Sequence, residues 1–220
     1  MVLLGGELKN MIKIIIADDH AIVRKGLKQI LEDTMEMNVA DEAGNGVELM
    51  DKLRKQSFDV VILDITMPGR SGLDVLKDIK VEFPKLPVLV LSVHREEQYA
   101  VRTLKAGAVG YINKKSAPDE LIEAIRIVST GRKYISHSVA DTLVTSLEPN
   151  ADKPLHELLS DREYQVLCMI ASGKSVSTIS RELNLSVKTI STFRSHILRK
   201  MNMKDNAEMT HYAIKNQLVD

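Results

Sequence analysis

Two hydrophobic patterns alternate through roughly the first 130 residues, and only one of them continues afterwards. The first is a short, nearly continuous apolar run: Ile12-Lys13-Ile14-Ile15-Ile16-Ala17, residues 39–43, Val60-Val61-Ile62-Leu63, Val88-Leu89-Val90-Leu91 and residues 107–114. β-branched and aliphatic runs of this length, bounded by Gly, Pro or acidic breaks, read as strands buried on both faces of a parallel sheet. Between them apolar residues recur at helical spacing. Ile22, Val23, Leu27, Ile30 and Leu31 follow the first run, Val47, Leu49, Met50 and Leu53 the second, and Leu73, Val75, Leu76 and Ile79 the third. A helix around residues 98–106 follows the fourth, and Leu121, Ile122, Ile125 and Val128 mark a fifth over 117–130. Five βα units in succession predict a doubly wound parallel sheet of the flavodoxin-like kind, order 2-1-3-4-5, with right-handed crossovers.

From residue 131 the strand pattern stops. One short helix is expected over 136–147, then Glu148-Pro149-Asn150-Ala151-Asp152-Lys153-Pro154, a polar stretch with two prolines that reads as a linker. Beyond it only helical periodicity remains. Ser160-Asp161-Arg162-Glu163 is a capping box ahead of the stripe Val166, Leu167, Ile170, and Gly173 closes that helix. Ser175 or Ser177 opens a second helix through Leu183, Asn184-Leu185 forms a turn, Ser186 caps a third running to about Met201, and residues 207–215 form a fourth. Two helices joined by so tight a turn make a helix-turn-helix, whose second member can enter the major groove of DNA. The expected fold is therefore α/β followed by an all-α domain of four helices. The division is residues 1–10 as a loose extension, 11–132 as the α/β domain, 133–155 as a linker with a short helix, and 156–220 as the helical domain.

Length and composition agree with two domains. At 220 residues each half can bury its own core, and 44% hydrophobic with 27% charged residues is the balance of a soluble globular protein. The formal net charge of zero excludes wholesale electrostatic binding to nucleic acid or membrane, while leaving room for a local basic face. Cys168, the single cysteine, sits in the apolar run Val166-Leu167-Cys168-Met169-Ile170 and reads as a buried, inert thiol; a reducing cytoplasm fits. Residues 1–10 carry no signal-peptide pattern, and no apolar run approaches membrane-spanning length. The six histidines show no metal spacing; His20 and His94 border the acidic strand ends described next.

Two of the predicted strands end in carboxylates: the first runs into Asp18 and Asp19, the third into Asp64. If those strands are neighbours, three acids converge on the carboxyl edge of the sheet, where open α/β folds place their chemistry. At about 5 Å and an effective dielectric near 20, each like-charged pair repels by roughly 3 kcal/mol. Such a cluster needs a cation, and an all-oxygen site suits Mg²⁺. An aspartate held beside the metal with a free oxygen can accept a phosphoryl group as an acyl phosphate, with Asp64 the candidate nucleophile and Asp18 and Asp19 the metal holders. Charge on the transferred oxygens calls for a hydroxyl and a cation on adjoining strand ends, and Ser92 and Lys114 occupy them.

With these residues the first 130 or so positions resemble the receiver domain of bacterial two-component response regulators. The resemblance implies Asp64 as phosphoacceptor, Asp18, Asp19, Asp64 and the Thr66 carbonyl as Mg²⁺ ligands, Ser92 and Tyr111 as switch residues, and Lys114 as the phosphate-binding lysine. The last 65 or so positions resemble the LuxR-type helix-turn-helix through Leu159-Ser160-Asp161-Arg162-Glu163, Val166-Leu167, Ile170-Ala171, Gly173, Ile179, Leu183, Ser186, Thr189-Ile190, Ile197 and Lys200-Met201. Together they resemble the NarL/FixJ family. The third helix of that domain holds Lys188, Arg194, Arg199 and Lys200 with no acid between Val187 and Met201, so it can engage phosphates. Base reading falls to Lys188, Ser191, Thr192 and Ser195, with Thr189 beside them in the family pattern. Many relatives carry lysine where Ser191 stands and histidine where Phe193 stands.

The family implies a sensor histidine kinase, promoter half-sites in double-stranded DNA and RNA polymerase as partners, a homodimer once phosphorylated, and no membrane. On activation Tyr111 is expected to turn inward. Two rivals are a haloacid-dehalogenase-type phosphatase, which wants a second acid where Thr66 stands, and a DNA-binding module indifferent to phosphorylation.

Overall fold

A strand with no polar position along its length has to be covered on both sides, and the sheet is built accordingly. In the computed structural model, which describes residues 11–67, 70–92, 96–136, 139–140 and 154–219, five strands pair in parallel. They are β1 (Ile12–Ala17), β2 (Met37–Ala43), β3 (Val60–Asp64), β4 (Val88–Ser92) and β5 (Gly110–Asn113), in the order β2-β1-β3-β4-β5. Every residue of β3 and β4 is buried. Alternate side chains feed two separate cores: Ile15, Ala17, Val61, Leu63, Val88 and Val90 on one face, and Ile14, Ile16, Val60, Ile62, Leu89 and Leu91 on the other. That two-sided split is what a central parallel strand requires.

The connecting helices are α1 (Ala21–Glu32), α2 (Gly46–Lys55), α3 (Gly72–Glu82), α4 (Glu96–Lys105) and α5 (Ala117–Ser129). Leu27 and Leu31 of α1 join Leu121, Ala124, Ile125 and Val128 of α5 on one face; α2, α3 and Tyr99 and Ala100 of α4 cover the other. Two of the apolar positions counted in the helical spacing point outward. Ile22 is 82% exposed and Val47 64% exposed, because each stands in the first turn of its helix, beyond the edge of the sheet it would have to cover.

After α5 the chain returns to the sheet at the Gly110–Tyr134 bridge. The helix expected over 136–147 is helical at 139–140 and otherwise falls outside the described residues, as do residues 1–10, the 148–153 part of the linker and His94. The tail opens with a 3-10 turn, Leu155–Leu158, which the hydrophobic pattern had not indicated. Four helices follow: α6 (Asp161–Ala171), α7 (Val176–Glu182), α8 (Val187–Lys200) and α9 (Asn206–Lys215). Ser160 forms the full capping box with Glu163, and Ser175, Ser186 and Asp205 each accept a backbone N–H at the start of the next helix. Asn184, at φ 51°, makes the tight turn between α7 and α8, using a left-handed conformation that asparagine tolerates. No helix among the described residues is long and apolar enough to cross a membrane.

Candidate functional site

Because β1 and β3 are adjacent, with Ala17 registered against Leu63, their next residues leave the sheet side by side. Asp18 and Asp64 are each only 1% exposed, and Asp19 stands beside them at the rim with its side chain 26% exposed. Carboxylate oxygens of all three, and a ring nitrogen of His20, lie within 4.8 Å of one another. The sequence expectation of three converging acids is therefore met in space.

The positive charge this cluster needs comes from β5. Lys114 follows the last residue of that strand, and its Nζ donates to Asp18 Oδ2 at 2.6 Å and Asp64 Oδ2 at 2.8 Å. The other Asp64 oxygen accepts the Thr66 backbone N–H at 3.0 Å. Burial holds the Asp64 carboxyl above its ordinary range; Lys114 pulls the other way and Asp18 adds to the rise. Burial alone would weaken the charge on Lys114, but Asp64 and Asp18 overcome it and raise the ammonium's pKa. His20 caps the group: its backbone N–H donates to Asp18 Oδ1 at 2.8 Å, and its Nδ1 is 2.8 Å from Asp19 Oδ1. Histidine at this position read from sequence as a loop residue bordering the acids, and the structure ties it directly to two of them.

Ser92, fully buried, ends β4, and its carbonyl accepts the Lys114 backbone N–H at 2.7 Å, so hydroxyl-bearing and lysine-bearing strand ends are locked together. Gly72, which sequence reasoning passed over, is what allows α3 to start against the site. A Cβ there would stand 2.3 Å from the Asp64 carbonyl oxygen and 2.4 Å from Ile65 Cα. Tyr111 differs from expectation. It was expected to turn inward on activation, yet it is already buried, 1% exposed, in a core that also takes in Tyr99 of α4 and Tyr164 of α6, whose rings meet edge-on with centroids 5.1 Å apart.

The donor set fits a hard divalent cation. Three carboxylates meet at one point, and beside them the buried Thr66 Oγ1 has no hydrogen-bond partner, so oxygen supply exceeds what Lys114 and the backbone satisfy.

In the helical domain, α8 presents Lys188, Ser191, Thr192, Ser195 and Arg199 to solvent. Thr192 and Ser195 return their hydroxyls to the carbonyls four residues earlier, and Thr189 pairs with the Ser186 cap. Two of the expected contact residues are engaged within the domain: Arg194 donates to Asn206 Oδ1 at 2.6 Å, and Lys200 pairs at 2.6 Å with Glu163 Oε2 of the capping box. Phe193 packs against the core, which explains an aromatic at that position.

A carboxylate triad clasped by a strand-end lysine, joined to a helix-turn-helix, defines a phosphoryl-responsive DNA-binding regulator. Residues 14–126 match the response regulator receiver domain and residues 157–213 match the bacterial regulatory proteins of the luxR family. The chain belongs to the NarL/FixJ family of two-component response regulators. It is similar to the response regulator UvrY of Escherichia coli K12, 37% identical over 209 residues covering 94% of this chain and 96% of that protein. It is likewise similar to the oxygen regulatory protein NreC of Staphylococcus carnosus, 38% identical over 215 residues covering 94% and 99%. Among solved structures, RcsB of Salmonella enterica serovar Typhimurium, bound to promoter P1flhDC in the presence of phosphomimetic BeF₃⁻, aligns with a TM-score of 0.65 at 31% identity, covering 92% and 98%. An RcsB–DNA complex aligns at 0.59 and 30% identity over the same shares. This protein is thus a response regulator with a DNA-binding output, a transcription factor rather than a conventional enzyme.

Proposed function

We propose that Asp64 is the residue that carries the signal: it accepts a phosphoryl group from the phosphohistidine of a sensor histidine kinase. One Asp64 carboxylate oxygen bonds to phosphorus, the P–N bond to the histidine ring breaks, and that ring leaves with a proton. The observation that carries this reading is the placement of Asp64, buried at the end of the central strand with Asp18 and Asp19 beside it and Lys114 on its oxygen. Asp18, Asp19, Asp64 and the Thr66 carbonyl would hold Mg²⁺, which supplies positive charge to the transferred oxygens. Lys114 adds an ammonium on the same side, and Ser92 a hydroxyl on the neighbouring strand end.

Phosphorylation adds about −1.5 to −2 charges at a buried point. That charge draws Lys114 off Asp18 and biases the β4–β5 edge, which changes how residues 11–132 engage residues 156–220 across the 133–155 linker. The output is a homodimer on promoter half-sites, in the cytoplasm, with RNA polymerase as its downstream partner. Lys188, Ser191, Thr192 and Ser195 read bases, while Arg199 contacts phosphate, with Thr189, Arg194 and Lys200 bracing the helix. Treatment with acetyl phosphate and Mg²⁺ is expected to add one hydroxylamine-labile phosphoryl group to the wild-type chain and none to Asp64→Asn. A full stoichiometric label on Asp64→Asn would move the acceptor elsewhere.

A further inference from the structure

Among the described residues, the receiver meets the DNA-binding domain at a joint that makes no hydrogen bond or ion pair with the reading helix. On the receiver side it is made by α3 and α4. Arg102 of α4 donates from Nη2 to the His156 carbonyl at 2.5 Å, and from Nη1 to the Leu159 carbonyl at 3.1 Å and Asp161 Oδ1 at 3.2 Å. The same guanidinium lies over the Tyr164 ring, 4.2 Å from its centroid. Lys77 of α3 pairs with the other Asp161 oxygen at 2.6 Å. Tyr99 closes the contact edge-on against Tyr164, and the core on that face runs without a break from Tyr111 through Tyr99 into Leu159, Tyr164 and Leu167. Tyr111 of β5, Tyr99 of α4 and Tyr164 of α6 are all buried in this one core, and the edge contact of Tyr99 on Tyr164 carries it across the joint.

Among the described residues, the groups the receiver grips by hydrogen bond, ion pair or ring contact belong to the 3-10 turn or to α6 and its cap. Among the described residues, the hydrogen bonds and ion pairs of α8 all stay within the helical domain, and Lys188, Ser191, Thr192, Ser195 and Arg199 remain exposed. A receiver that silenced its output by covering the reading surface would have to bury those residues.

We propose that Arg102 is the latch of an orientational restraint: the uncharged receiver fixes the DNA-binding domain through its scaffold helix, leaves the reading helix open, and withholds only the freedom two copies need to seat on paired half-sites. Half-sites stand about 34 Å apart on one face of the duplex, so two copies can both dock only if each domain takes up the required orientation. The route from the phosphoryl site is this shared core. Tyr111 lies on β5, three residues before Lys114, so a shift of that strand end repacks Tyr111 against Tyr99 and moves Arg102, three residues further along α4. This last step rests on Asp64 being the acceptor; the latch itself does not.

The test uses the full chain and cysteine probes. Cys168, 5% exposed, belongs to the core that runs across the joint and would be uncovered on opening, so every probe is placed in a Cys168→Ser background, where introduced cysteines report alone. Spin labels at Lys55→Cys and Ser195→Cys are expected to give one narrow distance distribution in that background without phosphodonor, and a broad one with Arg102→Ala. Asp161→Asn, which cuts both the Lys77 and Arg102 pairs from the other side, is expected to broaden it as well, and guards against a folding defect specific to Arg102→Ala. Maleimide labelling of Ser195→Cys alone should proceed at the same rate, within twofold, with and without Arg102→Ala.

An unchanged distance distribution in both variants overturns the latch. A tenfold rise in Ser195→Cys labelling on opening overturns the claim that the reading helix is uncovered. Acetyl phosphate with Mg²⁺ should broaden the wild-type distribution and leave that of Asp64→Asn narrow. If the wild-type chain is phosphorylated on Asp64 and stays narrow, the coupling through the shared core is wrong. If no phosphoryl group reaches Asp64 while Arg102→Ala still broadens the distribution, the acceptor assignment fails and the latch stands.

Discussion

At the scale of single residues the site depends on one close approach. Gly72 lets the first turn of α3 lie on the carbonyl of Asp64, and the atoms a Cβ would strike are backbone, which cannot rotate away. Gly72→Ala is therefore expected to destabilise the receiver by about 3 kcal/mol, near the upper end for overpacking, and to displace the end of β3. Because misplacing a reacting group by about 1 Å can cost on the order of 100-fold, phosphorylation by acetyl phosphate should slow at least tenfold even at temperatures where the variant stays folded. Denaturant melts and a labelling time course measure the two effects separately. The acids themselves were legible from sequence, since strands ending in Asp18 and Asp64 needed only to be neighbours to meet. Gly72 was not legible, because a glycine after Ser71 reads equally as a simple helix start. The burial of Tyr111 was not legible because the core it joins includes Tyr99 and, across the domain joint, Tyr164, 12 and 53 positions away in sequence, beyond anything local periodicity reports.

At the scale of elements the capping signals were the most readable, because they are local. Ser160 and Glu163 form the predicted box, and Glu163 then does a second job: its carboxylate, with the side chain only 4% exposed, accepts from the Ser160 backbone at 2.8 Å and from Lys200 at the far end of α8. Burial works against that charge, but Lys200 and the Ser160 groups more than offset it, and the carboxyl stays below its usual range. Glu163→Ala removes a cap and strands Lys200, so the helical domain should lose about 2 kcal/mol, with Glu163→Gln losing less because it can keep the Ser160 bond. Urea unfolding followed by helix content measures this. Arg199, exposed and unpaired among the described hydrogen bonds of α8, behaves differently: Arg199→Ala should leave stability unchanged and lower the slope of log K against log salt for duplex binding by about 1, uniformly across sequences. The exposure of Ile22 and Val47 was not legible, because periodicity marks a face of a helix without saying where the sheet beneath it ends. The 3-10 turn at Leu155–Leu158 was invisible for a related reason, since four residues are too few to show a period.

At the scale of the whole molecule, a formal net charge of zero hides a sharp local division, with acids at one end of the sheet and bases along α8, joined by a contact that is itself charged and aromatic. His156 sits at the centre of that contact. Its carbonyl accepts from Arg102, its ring nitrogen is 3.0 Å from the Tyr212 hydroxyl of α9, and its ring lies 5.8 Å from that of Tyr164. Burial first, and then the Arg102 guanidinium, lower its pKa from about 6.5 to about 4, with Glu157 opposing weakly. A folded-state pKa below the free value means that the joined state favours neutral imidazole. Above pH 6.5 the ring is neutral whether or not the joint is made, and no penalty arises. As pH falls from about 6.5 toward 4, the released state takes up a proton that the joined state refuses, so docking weakens progressively through that window and changes little below it. The expected outcome is a Lys55→Cys and Ser195→Cys distance distribution that is narrow at pH 7.5 and broadens by pH 5 in the absence of any phosphodonor. His156→Gln, which keeps a neutral polar side chain beside Tyr212, should hold it narrow across the same range. Equal broadening in His156→Gln would place the acid sensitivity in other groups.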